Sequence, residues 1–198
     1  MALKSVNAGD RAPHSKLHSQ MEDEASIRRR ASRVKLLLMD CDGVLTDGRI
    51  WILESGEDQK AFNTRDGFGL DLLHRAGLRS GIISGRTSGA VERRSRGLGM
   101  SFVRQGCENK LQAFTEILAE AELTPDEVAF IGDDLNDVPL MLRSELAVAV
   151  ADASEETKHH AHFVTKASGG SGAVRETVEL ILKAQYRWDD LVQLYLKE

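Results

Sequence analysis

Two knots of acidic residues and a few well-placed companions carry the chemistry in this 198-residue sequence. Asp40 and Asp42 follow the apolar run "LLLM", and Asp133, Asp134 and Asp137 follow "VAFIG". Between them come Ser84, at the end of "GIIS", and Lys110, which opens an apolar-periodic stretch. Unperturbed carboxyls ionise at about pH 4, so acids converging on one place repel and call for a counter-charge. A hard cation such as Mg²⁺ supplies it, taking a few carboxylates and filling the rest of its shell with waters and phosphate oxygens. A carboxylate beside such a cation and a lysine is equipped to attack a phosphoryl group. A second carboxylate two positions on can protonate the leaving oxygen and then activate water.

Other chemistries fit less well. A calcium loop starting at Asp40 places Val44 and Leu45 where a further Asp or Asn and then Gly are needed, and Trp51 where the closing Glu belongs. No dinucleotide-type glycine fingerprint and no P-loop lysine is present. Cys41 and Cys107 lack the spacing of a disulfide framework or a zinc site, and Cys41 reads as a small core side chain.

These residues need a scaffold that brings chain-distant loops together, and the hydropathy pattern supplies one. Apolar strands are expected at 34–39, 79–84, 101–104, 128–132 and 146–150, alternating with helices at about 67–76, 87–97, 110–122, 136–143 and 155–161. The stretch 110–122 puts Leu111, Phe114, Ile117, Leu118 and Ala121 on one face. Strands that read as continuously apolar are buried on both faces, so the class is α/β, a doubly wound and mostly parallel sheet. In such sheets ligands bind beyond the carboxyl ends of the strands, where every residue collected above falls.

The alternation is interrupted once, by "RIWILESGEDQKAFN", read as a hairpin over about 49–63 with strands Arg49–Leu53 and Gln59–Asn63. Residues 1–19 lack periodicity and are expected to be a disordered lead; 20–33 form a charged helix; the catalytic domain is 34–184. Near its end lies a glycine-rich loop, "SGGSG", then a helix with Val174, Val178, Ile181 and Leu182 on one stripe. Residues 185–198 form a helical tail that packs on its own or a neighbouring subunit, with Trp188, Leu191, Val192 and Tyr195 at helical spacing.

The charge of -5, from 31 acidic and 26 basic residues, argues against general affinity for nucleic acid. The runs Arg28–Arg30 and Arg93–Arg96 read as solvated helix faces. No apolar stretch suits a membrane span or a signal peptide, so a reducing cytoplasm is the expected location.

"DCDGVLTDG", "IISGR", Lys110 and "GDDLND" together resemble the four motifs of the haloacid dehalogenase superfamily of aspartate-nucleophile phosphatases. The resemblance implies that Asp40 is the nucleophile, Asp42 the general acid/base, and Ser84 and Lys110 the phosphoryl-holding pair. Mg²⁺ would then sit on Asp40, the Asp42 backbone carbonyl and Asp133, with Asp134 and Asp137 as supporting acids. Only 41 residues separate Asp42 from Ser84, and 22 separate Lys110 from Asp133, so neither gap holds a cap domain. Either the substrate is large or a neighbouring subunit closes the site.

A closer similarity runs over about residues 34–184 through "KAFNTRDGFG", "NKLQAF", "IGDDLNDVPLM", "AVAVADA" and "GGSGAVRE". These resemble the capless 3-deoxy-D-manno-octulosonate 8-phosphate phosphatases. That family implies a Mg²⁺-dependent homotetramer serving lipopolysaccharide synthesis, with hairpins in a central barrel. It also implies sugar-acid contacts from Asn63, Arg65, Asp66 and Gly67, and positive charge from Arg86 and Arg94. Asp71 departs from the family, standing where a basic residue is usual. A related nine-carbon sugar-acid phosphate is the alternative substrate. A non-catalytic tetramerisation module and a phospho-accepting receiver are the alternative classes; four costly polar groups kept together argue against the former, and Asp40 and Asp42 sharing one strand argues against the latter.

Overall fold

The computed structural model describes residues 24–197. The expectation of a disordered lead at 1–19, and the start of the helix at 20–23, lie outside the described residues.

Helix α1 (Glu24–Arg33) leads into β1 (Leu36–Met39), and the hairpin strands β2 (Trp51–Ile52) and β3 (Asp58–Gln59) follow. Then come α2 (Thr64–Arg75), β4 (Arg79–Ile83), α3 (Gly89–Gly97), β5 (Phe102–Arg104) and α4 (Lys110–Ala121). The second half runs β6 (Val128–Gly132), α5 (Val138–Met141), β7 (Leu146–Ala149), α6 (Glu155–His159), β8 (Phe163–Val164), α7 (Ala173–Ala184) and α8 (Trp188–Leu196). The six main strands form one parallel sheet in the order β5-β4-β1-β6-β7-β8, with β2 and β3 paired antiparallel beside it.

β1 lies between β4 and β6, with Leu38 opposite Gly81 on one side and Phe130 on the other. Every residue of β1, β6 and β7 is buried, as expected of strands covered on both faces. Right-handed crossovers place α2 on one face, where it packs on α7 and α7 on α1; α4 and α5 cover the other. The chain leaves β1 towards β4 but leaves β6 towards β7, so connections diverge in the cleft between β1 and β6. A crevice opens at such a switch point, here with Asp40 on one lip and Asp133 on the other. Among the described residues no helix is long and apolar enough to cross a membrane.

The structure corrects two boundaries. The hairpin is shorter than its sequence pattern suggests: β3 ends at Gln59, and Lys60–Asn63 carry no strand. Helix α2 begins at Thr64, ahead of the expected 67, because Asn63 caps it, its side-chain oxygen accepting from Arg65 N at 2.8 Å. Gly67 and Gly69 are buried inside α2 against Arg94 and Arg175, so packing outweighs their low helix propensity. The tail forms α8 on its own subunit: Tyr195 meets Phe68 edge-on with ring centroids 5.5 Å apart, and Arg187 bonds Ala76 O at 2.6 Å.

Candidate active site

The turn after β1 sets the first two carboxylates. The carbonyl of Cys41 accepts from the backbone N–H groups of Val44, Leu45 and Thr46 at 3.4, 2.9 and 3.0 Å, winding the chain tightly after Asp40. Cys41 lies wholly in the core, where burial pushes its thiol up to about 12 and keeps it inert. Asp40 and Asp42, on either side of it, line the cleft instead.

Asp40 is buried with Lys110, whose ammonium lies 3.0 Å from it and donates to Asp137 at 2.8 Å. Lys110 is the first residue of α4, and its N-cap Asn109 accepts from Gln112 N at 3.1 Å. Asp137 is fully buried and also accepts from Asp133 N at 3.1 Å, which ties the turn after β6 to the lysine. Ser84 is buried at the end of β4, its Oγ accepting from Arg86 N at 3.3 Å. The Asp133 carboxylate fills the space in front of Gly43. A Cβ there would overlap it, and Gly43 has φ +90°, so only glycine fits.

Oxygens of Asp40, Asp133 and Asp137 lie within 4.8 Å of one another. Burial first, and then the Asp137 charge, push the carboxyls of Asp40 and Asp133 above the ordinary carboxylate range. Burial works against the Lys110 ammonium, but Asp137 and Asp40 outweigh it and hold its pKa above normal. One lysine against three converging carboxylates leaves an excess of negative charge, and the donors are all hard oxygens. That set suits a divalent oxygen-seeking cation.

Asp40, Asp42, Ser84, Arg86, Lys110, Asp133 and Asp134 line one cavity of about 180 Å³. Typical small-molecule sites run to roughly 300–1,000 Å³, so a phosphoryl group fits while a larger body must lie at the mouth. Arg86 also lines a neighbouring groove of about 330 Å³ between the hairpin and α3.

The four residues implied as sugar contacts, and Arg94, lie outside this lining. Asn63 caps α2 and donates its side-chain N–H to Gly170 O at 3.2 Å. Arg65 is exposed. Asp66 is wholly buried, its carboxylate accepting from Gly172 N at 3.2 Å and Arg175 N at 2.8 Å. Burial raises its pKa despite those bonds. Asp66 therefore caps α7 across the helix interface. Gly67 leaves room for the Arg94 guanidinium, which a Cβ would overlap; Arg94 also lies 5.9 Å from the Phe62 ring, with its Nε lacking a hydrogen-bond partner among the described residues. Asp71 bonds Arg75 one helical turn along α2, also outside the cavity lining.

Lys60 is the residue the motif reading overlooks. Its side chain is 1% exposed and pairs with Asp42, with Asp58 at 3.7 Å. A usable signal existed: Asp58 and Lys60 are opposite charges two apart in a β-prone run, hence on one face.

The haloacid dehalogenase-like hydrolase family model matches residues 90–176. A curated 3-deoxy-D-manno-octulosonate 8-phosphate phosphatase of Yersinia pestis is 46% identical over 159 residues, 80% of this chain and 85% of that protein. The one from Escherichia coli K12 is 43% identical over 166 residues, 84% and 88% of the two chains. A crystal structure of the Moraxella catarrhalis phosphatase of that name, in complex with magnesium ion, phosphate ion and 3-deoxy-D-manno-octulosonate, superposes with a TM-score of 0.85 at 37% identity, covering 87% of this chain and 99% of that one.

Proposed function

Since the chain belongs to the 3-deoxy-D-manno-octulosonate 8-phosphate phosphatase family of haloacid dehalogenase-like hydrolases, we propose that it is a Mg²⁺-dependent phosphomonoesterase releasing phosphate from that sugar acid. The reaction passes through an aspartyl-phosphate. The observation that carries the reading is the convergence of Asp40, Asp42, Ser84, Lys110 and Asp133, from four separate loops, on one small cavity.

In the first half-reaction an Asp40 oxygen bonds to phosphorus while the bond from phosphorus to the sugar oxygen breaks. Asp42 gives its proton to that leaving oxygen. In the second, a water oxygen bonds to phosphorus as Asp42 takes its proton, and the Asp40–phosphorus bond breaks to free inorganic phosphate. Lys110 and Ser84 hold the non-bridging oxygens, Lys110 doing so while anchored by Asp137. Asp40, Asp133 and the Asp42 carbonyl would hold Mg²⁺, which would offset the negative charge of the cluster and of the phosphoryl group. Arg86 in the cavity lining suits the sugar carboxylate, and Arg94, beside Phe62 and outside that lining, adds positive charge.

Assembly as a homotetramer through the hairpin is supported by Trp51 and Ile52, 65% and 75% exposed on its strand β2. A neighbouring subunit over the mouth would supply the closure that the shallow cavity lacks. Two unpaired cysteines suit a reducing cytoplasm, where this hydrolysis would serve lipopolysaccharide synthesis.

The test is phosphate release from a panel of sugar phosphates, including nine-carbon sugar-acid 9-phosphates, with Mg²⁺ present. The eight-carbon substrate should lead, and Asp40→Asn should lower kcat by roughly 10⁴-fold or more. Preference for a nine-carbon substrate would overturn the substrate assignment, and retained turnover in Asp40→Asn the nucleophile.

A further inference from the structure

A lysine side chain 1% exposed is costly unless its ammonium is fully engaged, and Lys60 is engaged on both sides. It pairs with Asp42 Oδ1 and lies 3.7 Å from Asp58 Oδ2. Asp58, in the hairpin stem, accepts on its other oxygen from Ser88 Oγ at 2.8 Å. Ser88 is itself buried at the N-cap of α3, and its backbone N–H donates to Gln105 at 2.9 Å. A continuous polar chain thus runs from the frame of the domain, through the hairpin stem, to one oxygen of Asp42.

The other oxygen is treated differently. Asp42 Oδ2 accepts no hydrogen bond among the described residues, and Arg86 Nε lies 3.9 Å away. A carboxylate with one oxygen pinned cannot spin about its last bond, so the free oxygen has a set direction. Being buried, the Lys60 ammonium has no surface left for substrate.

We infer that Lys60 is a positioning residue for the acid–base step: held by Asp58 and Ser88, it pins Asp42 Oδ1 and leaves Oδ2 to pass the proton to and from the reacting oxygens. The inference rests on the reading of Asp42 as the general acid/base. It makes the hairpin stem part of the catalytic apparatus.

The test compares two substrates in Lys60→Met, with Mg²⁺ saturating. The sugar 8-phosphate leaves as an alkoxide and needs the proton, whereas p-nitrophenyl phosphate leaves as a stable phenolate and does not. Because kcat/KM covers steps up to transfer of the phosphoryl group to Asp40, it isolates the acid's role. General acid–base catalysis contributes about 10²–10⁴-fold, so kcat/KM for the sugar phosphate should fall by roughly 10²-fold while that for p-nitrophenyl phosphate stays within about 3-fold. Lys60→Arg, which keeps the charge, should recover much of the loss.

Equal losses on both substrates would mark the pair as a fold anchor alone and overturn the inference; so would no loss on either. If Lys60→Met does not fold, Asp58→Asn takes its place, with a smaller selective loss expected and an unchanged ratio of the two kcat/KM values overturning it. Asp42→Asn separates the two readings. Sugar-phosphate turnover in that variant removes the assignment of Asp42 itself, whereas an inactive Asp42→Asn beside an unimpaired Lys60→Met removes only the role of Lys60.

Discussion

Asp66 offers the sharpest test of whether the geometry or the motif should be believed. The family resemblance implies a sugar contact, but its carboxylate is wholly buried and accepts from Gly172 N and Arg175 N, at the start of α7. The residue at the α7 N-cap is Gly172, which has no side chain to do this work, so α2 supplies the cap instead. Asp66→Ala leaves two part-buried N–H groups without their acceptor, at about 1–3 kcal/mol each. Burial, which raises the Asp66 pKa, shows that holding the charge itself costs something, so the lower half of the summed range applies, about 2–4 kcal/mol. For a chain of this size each kcal/mol moves Tm by about 2–4 °C, giving a drop of roughly 4–16 °C. The assay is thermal unfolding of the Mg²⁺-loaded protein, with KM for the sugar phosphate measured below the transition. The expected result is a lowered Tm with KM within about 3-fold of the parent protein. A variant within about 1 kcal/mol of parent stability whose KM has risen tenfold or more would refute the capping role and restore the sugar contact.

Three further outcomes follow from the same geometry. Gly43→Ala drives a Cβ into the Asp133 carboxylate and strains a left-handed backbone, so calorimetric titration should show Mg²⁺ affinity reduced roughly 10–100-fold. In the metal-free protein Asp40 and Asp133 hold protons more tightly folded than unfolded, so stability should fall as pH rises from 3.8 through their raised values. Mg²⁺ reverses that loss by binding the ionised forms. At a concentration about 100 times its Kd at about pH 8 it should add about 2.7 kcal/mol, some 5–11 °C in Tm, and the same concentration should add less at about pH 5, where protons compete for the ligands. Replacing Trp51 and Ile52 together by serine should shift the mass measured by light scattering from a tetramer to the 21.8 kDa protomer, with activity lost in parallel; an unchanged tetramer would place the interface elsewhere.

The amino-acid sequence alone determined the class of fold and the chemistry. Runs such as "LLLM" and "VAFIG" are too apolar for anything but doubly covered strands, and their polar ends must then collect at one edge of the sheet. Residue type and order were enough to assemble Asp40, Asp42, Ser84, Lys110 and Asp133, because each sits directly at the end of a strand or the start of a helix, where local geometry dictates position.

The tertiary structure decided what local pattern cannot carry. The fate of Asp66 depends on α7, more than 100 residues later in the chain, whose bare N-terminus is an electrostatic vacancy that only packing brings alongside. Helix α2, capped locally by Asn63, runs on through Gly67 and Gly69 because their buried contacts with Arg94 and Arg175 outweigh the penalty of two glycines. Lys60 acquires a partner 18 positions away, and a desolvated environment, only once the hairpin folds back over the cleft. Patterns two to four residues long register which face a side chain takes; which charge it meets there is settled by long-range approach, and burial then makes that meeting obligatory.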